Sequence, residues 1–378
     1  MILPSGTPIF TPKPIAIGPQ HNHPSPDYRI TIDGTDISRR IQPRLMSLNL
    51  TDNRGFEADT VDLQLDDADG KLELPRKGAT MQVWLGWQGE PLVDKGTYTI
   101  DEVEHSGAPD VMNIRGKAAD LRGSLNKQRE QSYHDQTLAD ILGTLAGRNQ
   151  LTLAVDPSWG AERLPHLDQQ NESDAAFLSR LAKDYDAIAT VKQGKLLFIK
   201  AGMSQSASGA PLPNVTITRQ SGDSHRFAIA DRNSYSGVVA MWQDTKKAKK
   251  EVATVKRKKK LEPKKTDEPS DVAVNGNELR IGDEENVKTL RHVYASKRNA
   301  ERAARSEWDK LQRGVAQFSI TLAKGRPELF PELPVKVMGF KPQIDQSPWL
   351  LTRVVHNLTD SGYTNSIELE VKTDEVPE

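Results

Sequence analysis

The sequence predicts a mainly β chain with an α+β component: two small β-barrel domains with a small α/β domain inserted between them. Three observations predict it. Apolar residues alternate with period two in segments between 28 and 100, and again in segments between 215 and 371. Between these regions, from about Ser132, the period changes to that of an amphipathic helix. Turn-forming residues recur at short intervals, as they do between short strands. At 378 residues the chain has room for about two to four domains.

Met1–Pro26 carries seven prolines. Proline fixes φ and removes a backbone donor, so the segment is expected to be disordered in isolation or an extended arm ordered on a neighbour. The first β-barrel domain is expected at 27–125. Tyr28, Ile30 and Ile32 alternate before an Asp33-Gly34 turn, and Met46, Leu48 and Leu50 precede a turn at Asp52–Gly55. Val61, Leu63 and Leu65 follow, then Met81, Val83, Leu85 and Trp87, then Tyr98 with Ile100. Many short strands separated by turns fit a barrel or sandwich.

The small α/β domain is expected at 126–202. Leu138, Ile141, Leu142 and Leu145 form one helical stripe, with Gly147 placed to stop it. Leu151, Leu153 and Val155 read as a strand. Ser173 can cap a second helix whose apolar side is Phe177, Leu178, Leu181 and Tyr185. Ile188–Val191 and Leu196–Ile199 flank Gln193-Gly194 as a hairpin.

After a linker at 203–213, the second β-barrel domain is expected at 203–245 and 314–378. Its strands are Val215–Ile217, Val238–Trp242, Phe318–Leu322, Val335–Val337, Leu350–Val355 and Ile367–Val371. A basic loop and helix insertion occupies 246–313. The helix, Ser296–Arg313, has the stripe Ala300, Ala303, Ala304, Trp308 and Leu311 and stops at Gly314. A short helix over Lys246–Val255 is compatible with the basic part.

Composition narrows the functional classes. The absence of cysteine excludes disulfides, thiolate metal sites and a cysteine nucleophile. No apolar run reaches the roughly 18 residues of a membrane span, so no stable membrane insertion is expected. The N-terminus lacks the pattern of a signal peptide. No catalytic, cofactor-binding or metal-binding residues are predicted, and no cofactor. Asp66-Asp67-Ala68-Asp69-Gly70 begins like a calcium loop, but with Gly70 as the sixth residue the first and twelfth would be Leu65 and Arg76, which cannot ligate. It reads as an acidic turn. His21 and His23 lie in the proline arm without a third ligand, and the other six histidines are scattered without a helical pair. Neither a phosphate-binding glycine loop nor a Gly-x-Ser-x-Gly elbow exists. Ser224-His225 lacks the flanks of a nucleophile.

Two features point outward. Lys246–Lys265 holds eleven basic and two acidic residues, a local +9. Since the net charge is −1, the rest carries about −10. Lys256, Arg257, Lys258, Lys259 and Lys260 are the candidate electrostatic contact, set against a solvated loop or a phosphate-binding segment. With Met81, Val83, Leu85 and Trp87 facing the core, Gln82, Trp84 and Gly86 face outward, which makes Trp84 a candidate subunit-interface residue, the equal alternative being that the next domain buries this face too.

Several segments together resemble the phage late control gene D family, the baseplate hub of contractile tails. They are Ile32–Ile37, Leu65–Gly70 with Leu72–Pro75, Gly78–Val83, Asn171–Ala182, Tyr235–Val239, Gly325–Pro331, Val355–Leu358 and Gly362–Ser366. The Asn171–Ala182 piece is also similar to the hub part of type VI secretion spike proteins. The resemblance covers about 28–373 and implies a ring-forming homotrimer. Its two barrels per subunit would adapt a six-fold tail tube to a three-fold spike. It further implies contacts with the tail spike protein, the tail tube or tube-initiator protein, the tape-measure protein and other baseplate proteins, with DNA only passing through the channel. The location implied is the virion baseplate, after assembly in the host cytoplasm. Two alternatives stay open: a tail-associated cell-wall hydrolase, and a DNA-binding late gene regulator.

Overall fold

The computed structural model describes residues 24–118, 123–192, 194–206, 209–229, 235, 237–244, 249–256, 287–294, 296–313 and 316–372. The arm at 1–23 and Arg257–Lys260 lie outside the described residues.

The chain is mostly β. Seven strands between Pro26 and Ala118 form the first β region. Their alternating residues build one core, with Ile30, Leu48, Leu50, Leu63, Met81, Val83 and Ile100 fully buried. The second β region comprises Val215–Thr218, Gly222–Ile229, Ala316–Leu322, Pro334–Met338, Trp349–Thr359 and Gly362–Val371. Its core gathers Ile217, Phe318, Ile320, Val337, Trp349, Leu351, Val354 and Ile367.

The two regions are one sheet. Trp349–Thr359 pairs antiparallel with Leu45–Asn53, in register from Arg353↔Asn53 to Thr359↔Ser47. A continuous path of pairing therefore runs from Gly222–Ile229 through both regions to Pro26–Ile32. This corrects the expectation of two closed barrels: among the described residues the pairing path is open. Period two fixes which face a side chain takes, but it carries no information on closure.

The helical segments between the regions pack around their own core of Leu138, Ile141, Leu142, Leu145, Phe177, Leu178 and Phe198. Thr137 and Asp140 form a capping box at the start of Leu138–Arg148. Ser173 caps Asp174–Tyr185. The first helix ends at Arg148 rather than Gly147, and Gln150 takes the left-handed turn at φ 58°. The change of period near Ser132 is not a helix start. Gln128–Thr137 is a strand, paired with Arg163–Ser173 in a two-stranded ribbon. Both strands are polar on their exposed face, so their alternation is weak.

A separate three-stranded sheet departs from the expectation. Gly237–Asp244, expected in the second barrel, pairs instead with Lys249–Lys256 and Val287–Tyr294. The helix Lys297–Arg313 covers this sheet, burying Ala300, Ala304 and Trp308 against Val238, Ala240 and Ala253. Lys249–Lys256 is thus a strand and not a helix. One of its side chains, Ala253, enters a core while its neighbour Val252 stays exposed.

Candidate assembly site at the junction of the β regions

The shared sheet brings charged residues from distant segments into its interior. Asp52, at the end of Leu45–Asn53, lies 2.8 Å from Lys95 Nζ, with both side chains nearly fully buried. The Lys95 ammonium also donates to the carbonyls of Pro327 and Leu329, each at 3.2 Å. Burial alone would raise the Asp52 carboxyl; Lys95 and His356 hold it well below the usual carboxylate range.

His356 completes the cluster from Trp349–Thr359. Asn365 donates through Nδ2 to His356 Nδ1 at 2.8 Å, while its Oδ1 accepts from the Arg326 N–H. The Tyr363 hydroxyl lies 2.7 Å from the same Nδ1. The proton of the neutral ring therefore sits on Nε2, which faces Asp52 Oδ2 at 3.5 Å. Burial first, and then the Lys95 charge, push the imidazole down to about 4.

Neighbouring contacts extend the junction. Trp87 Nε1 donates to the Gly325 carbonyl at 2.9 Å, and Gly325 packs against the Tyr363 ring with no room for a Cβ. Arg54 pairs with Glu332 at 2.7 Å and with Glu370. Arg313, from the helix, pairs in two-pronged fashion with Asp186 and reaches Glu370 at 3.4 Å. Lys192 pairs with Asp59, whose other oxygen accepts from the Asn53 N–H at 2.8 Å. Both β regions, the α/β unit and the helix Lys297–Arg313 are tied by these pairs. Asp309, on that helix, is raised to about 6 by burial and by the Asp186 charge. Removing Lys95 would strand the buried Asp52 charge and removing Arg313 the buried Asp186 charge, so these pairs fix the units in one relative placement.

None of these ion pairs was singled out from sequence, and Asp52 was read as the start of a turn. The strand runs on to Asn53 instead. The signal that existed was indirect: Gly325–Pro331, Val355–Leu358 and Gly362–Ser366, three of the resembling segments, meet at this junction through Gly325, Arg326, His356, Tyr363 and Asn365. The Asn171–Ala182 segment likewise has a structural use. Asp174 is fully buried and held by Arg148 at 3.2 Å, Asn149 at 2.8 Å and Gln169 at 2.8 Å.

The sequence-derived outward residues fare differently. Trp84 is half-buried, and the Arg29 guanidinium lies over its ring, 3.8 Å from the centroid. Gln82 shares its exposure, but Gly86 is covered by Leu92. Lys256 ends its strand, paired with Gly237. In the acidic turn at Asp66–Gly70, Arg44 grips Asp69, and His105 lies 3.3 Å from the buried Asp67. His225 packs edge-on against Phe340. Among the described residues, no group of three or more His, Asp or Glu side chains is placed to hold a metal ion. No described helix is long and apolar enough to cross a membrane.

Comparison with known proteins agrees with this architecture. The model of the phage tail baseplate hub (GPD) family matches residues 60–362. A probable baseplate hub protein of Escherichia phage 186 is 51% identical over 367 residues, covering 93% of this chain and 94% of its own. Among solved structures, a tail protein of Neisseria meningitidis MC58 superposes with a TM-score of 0.64 at 15% identity, covering 92% of this chain and 96% of its own. A component of the Escherichia coli type VI secretion system superposes at 0.51 and 12% identity, covering 88% and 74%. The chain belongs to the phage tail baseplate hub family.

Proposed function

We propose that this member of the baseplate hub family works as a structural, non-enzymatic ring: a homotrimer with three-fold symmetry that joins the tail tube to the central spike of a contractile tail. The observation that carries this reading is the single sheet through both β regions, reinforced by buried ion pairs. A subunit presenting two similar β regions in a fixed relation offers six related units per trimer, which suits contact with a six-fold tube on one side and a three-fold spike on the other. The partners proposed are a second and third copy of the chain, the spike, the tube or tube-initiator protein, the tape-measure protein and other baseplate proteins. DNA would only pass through the channel. The place of work is the virion baseplate, reached by assembly in the host cytoplasm. Light scattering on the purified chain, alone and mixed with spike protein, tests it. A trimer in either sample is the expected result, and a monomer in both overturns the reading. Clearing of purified peptidoglycan by the chain would favour the hydrolase alternative.

A further inference from the structure

The ribbon of the α/β unit places two exposed histidines in direct opposition. His134, on Gln128–Thr137, and His166, on Arg163–Ser173, are cross-strand partners. Their rings lie 4.8 Å apart between centroids, and their Nδ1 atoms approach to 3.1 Å. Sequence alone gives no hint of this, because 32 positions separate them.

The geometry points to a two-histidine chelating site for a borderline divalent cation of the Zn²⁺, Ni²⁺ or Cu²⁺ class, formed by the Nδ1 atoms of His134 and His166 and oriented by Asp168.

Three observations converge on it. The first is the separation. With metal–nitrogen bonds of about 2.0–2.1 Å, two nitrogens on one ion stand about 2.9 Å apart at a right angle and about 3.3 Å apart at the tetrahedral angle. The observed 3.1 Å falls between these. The second is the tautomer. His166 Nε2 lies 2.8 Å from Asp168 Oδ2, so Nε2 carries the proton and Nδ1 presents its lone pair toward His134. A carboxylate on the far nitrogen is the arrangement that orients a metal-binding imidazole and strengthens it as a donor. The third is access. His134 and His166 are exposed, and His166 and Asp168 border an open cleft of about 450 Å³, also lined by Gln170, Glu172 and Arg180. Because both histidines are exposed, water can complete the shell. With two protein donors the ion would exchange readily. Imidazole donors select against Ca²⁺ and Mg²⁺, which take oxygen.

The test uses the full-length chain, freed of metal by a chelator, with His21→Ala and His23→Ala introduced to remove the other closely spaced pair. Nickel chloride and zinc chloride are titrated separately by calorimetry. The expected result is one ion per chain. His134→Ala or His166→Ala should each weaken binding at least tenfold, and Asp168→Asn by about 10–100-fold. Circular dichroism checks that these exposed substitutions leave the fold intact. Absence of binding in the His21/His23 variant overturns the assignment. So does unchanged affinity after loss of either His134 or His166.

Discussion

Lys95 Nζ and Asp52 Oδ2 lie 2.8 Å apart, with only 5% and 8% of their side chains exposed. This pair sits where the two β regions become one sheet, and its burial makes it a sensitive point for stability. Lys95→Met leaves Asp52 charged and uncompensated in the interior. The expected cost is about 3–5 kcal/mol, seen as a lower urea midpoint. Combining it with Asp52→Leu should recover most of that loss. A Lys95→Met protein as stable as its parent would show that the pair does not bind the regions together.

His356 gives the junction a pH dependence of known sign. Its folded value of about 4 lies below the ordinary 6.5. On acidification the unfolded chain takes up a proton near 6.5, while the folded ring refuses it until about 4. Stability from this group is therefore complete above 6.5 and is lost on the way down to 4, by about 3 kcal/mol at most. Asp309 acts oppositely. Raised to about 6, it favours folding below the ordinary carboxylate range and loses that contribution as pH rises through 6. Denaturation between pH 4 and 8 should show a shallower acid limb in His356→Gln. Asp309→Asn should be more stable than its parent above pH 6.

Gly325 touches Tyr363 so closely that an added Cβ would fall 2.5 Å from the ring. Gly325→Ala must move the backbone whose carbonyl accepts from Trp87. The expected destabilisation is about 1–3 kcal/mol, read as a lower thermal midpoint. An unchanged midpoint would mean that the ring moves aside freely.

Trp84, stacked by Arg29, remains the proposed subunit-interface residue. Trp84→Ala should cost the isolated fold no more than about 1 kcal/mol, yet weaken self-association about tenfold or more. Sedimentation equilibrium separates the two effects. Unaltered association would remove Trp84 from the interface.

The basic run is proposed to be a solvated contact segment outside the ring-building core. Replacing Lys256, Arg257, Lys258, Lys259 and Lys260 together with Ser should leave solubility and oligomeric state as in the parent, measured by light scattering. Loss of the oligomer would place the run in the assembly itself.

The sequence by itself determined the alternation of the strands, the stripes and caps of the helices, and a family resemblance spread over many short segments. These are local properties. Side chains two apart on a strand, or three and four apart on a helix, share a face whatever the partner. Thus Met81, Val83 and Leu85 were legible as core, Ser173 as a cap, and Ala300 to Leu311 as a buried stripe. Polar ribbons such as Gln128–Thr137 were not legible, because a strand without an apolar face has no alternation to detect. Only the tertiary structure decided that Leu45–Asn53 pairs with Trp349–Thr359. The same holds for Gly237–Asp244 joining a separate sheet, and for Asp52, Lys95 and His356 meeting in one interior. Pairing between strands some 300 positions apart depends on which edges the whole fold leaves open. The partner of a buried charge is chosen by that pairing and not by its neighbours along the chain.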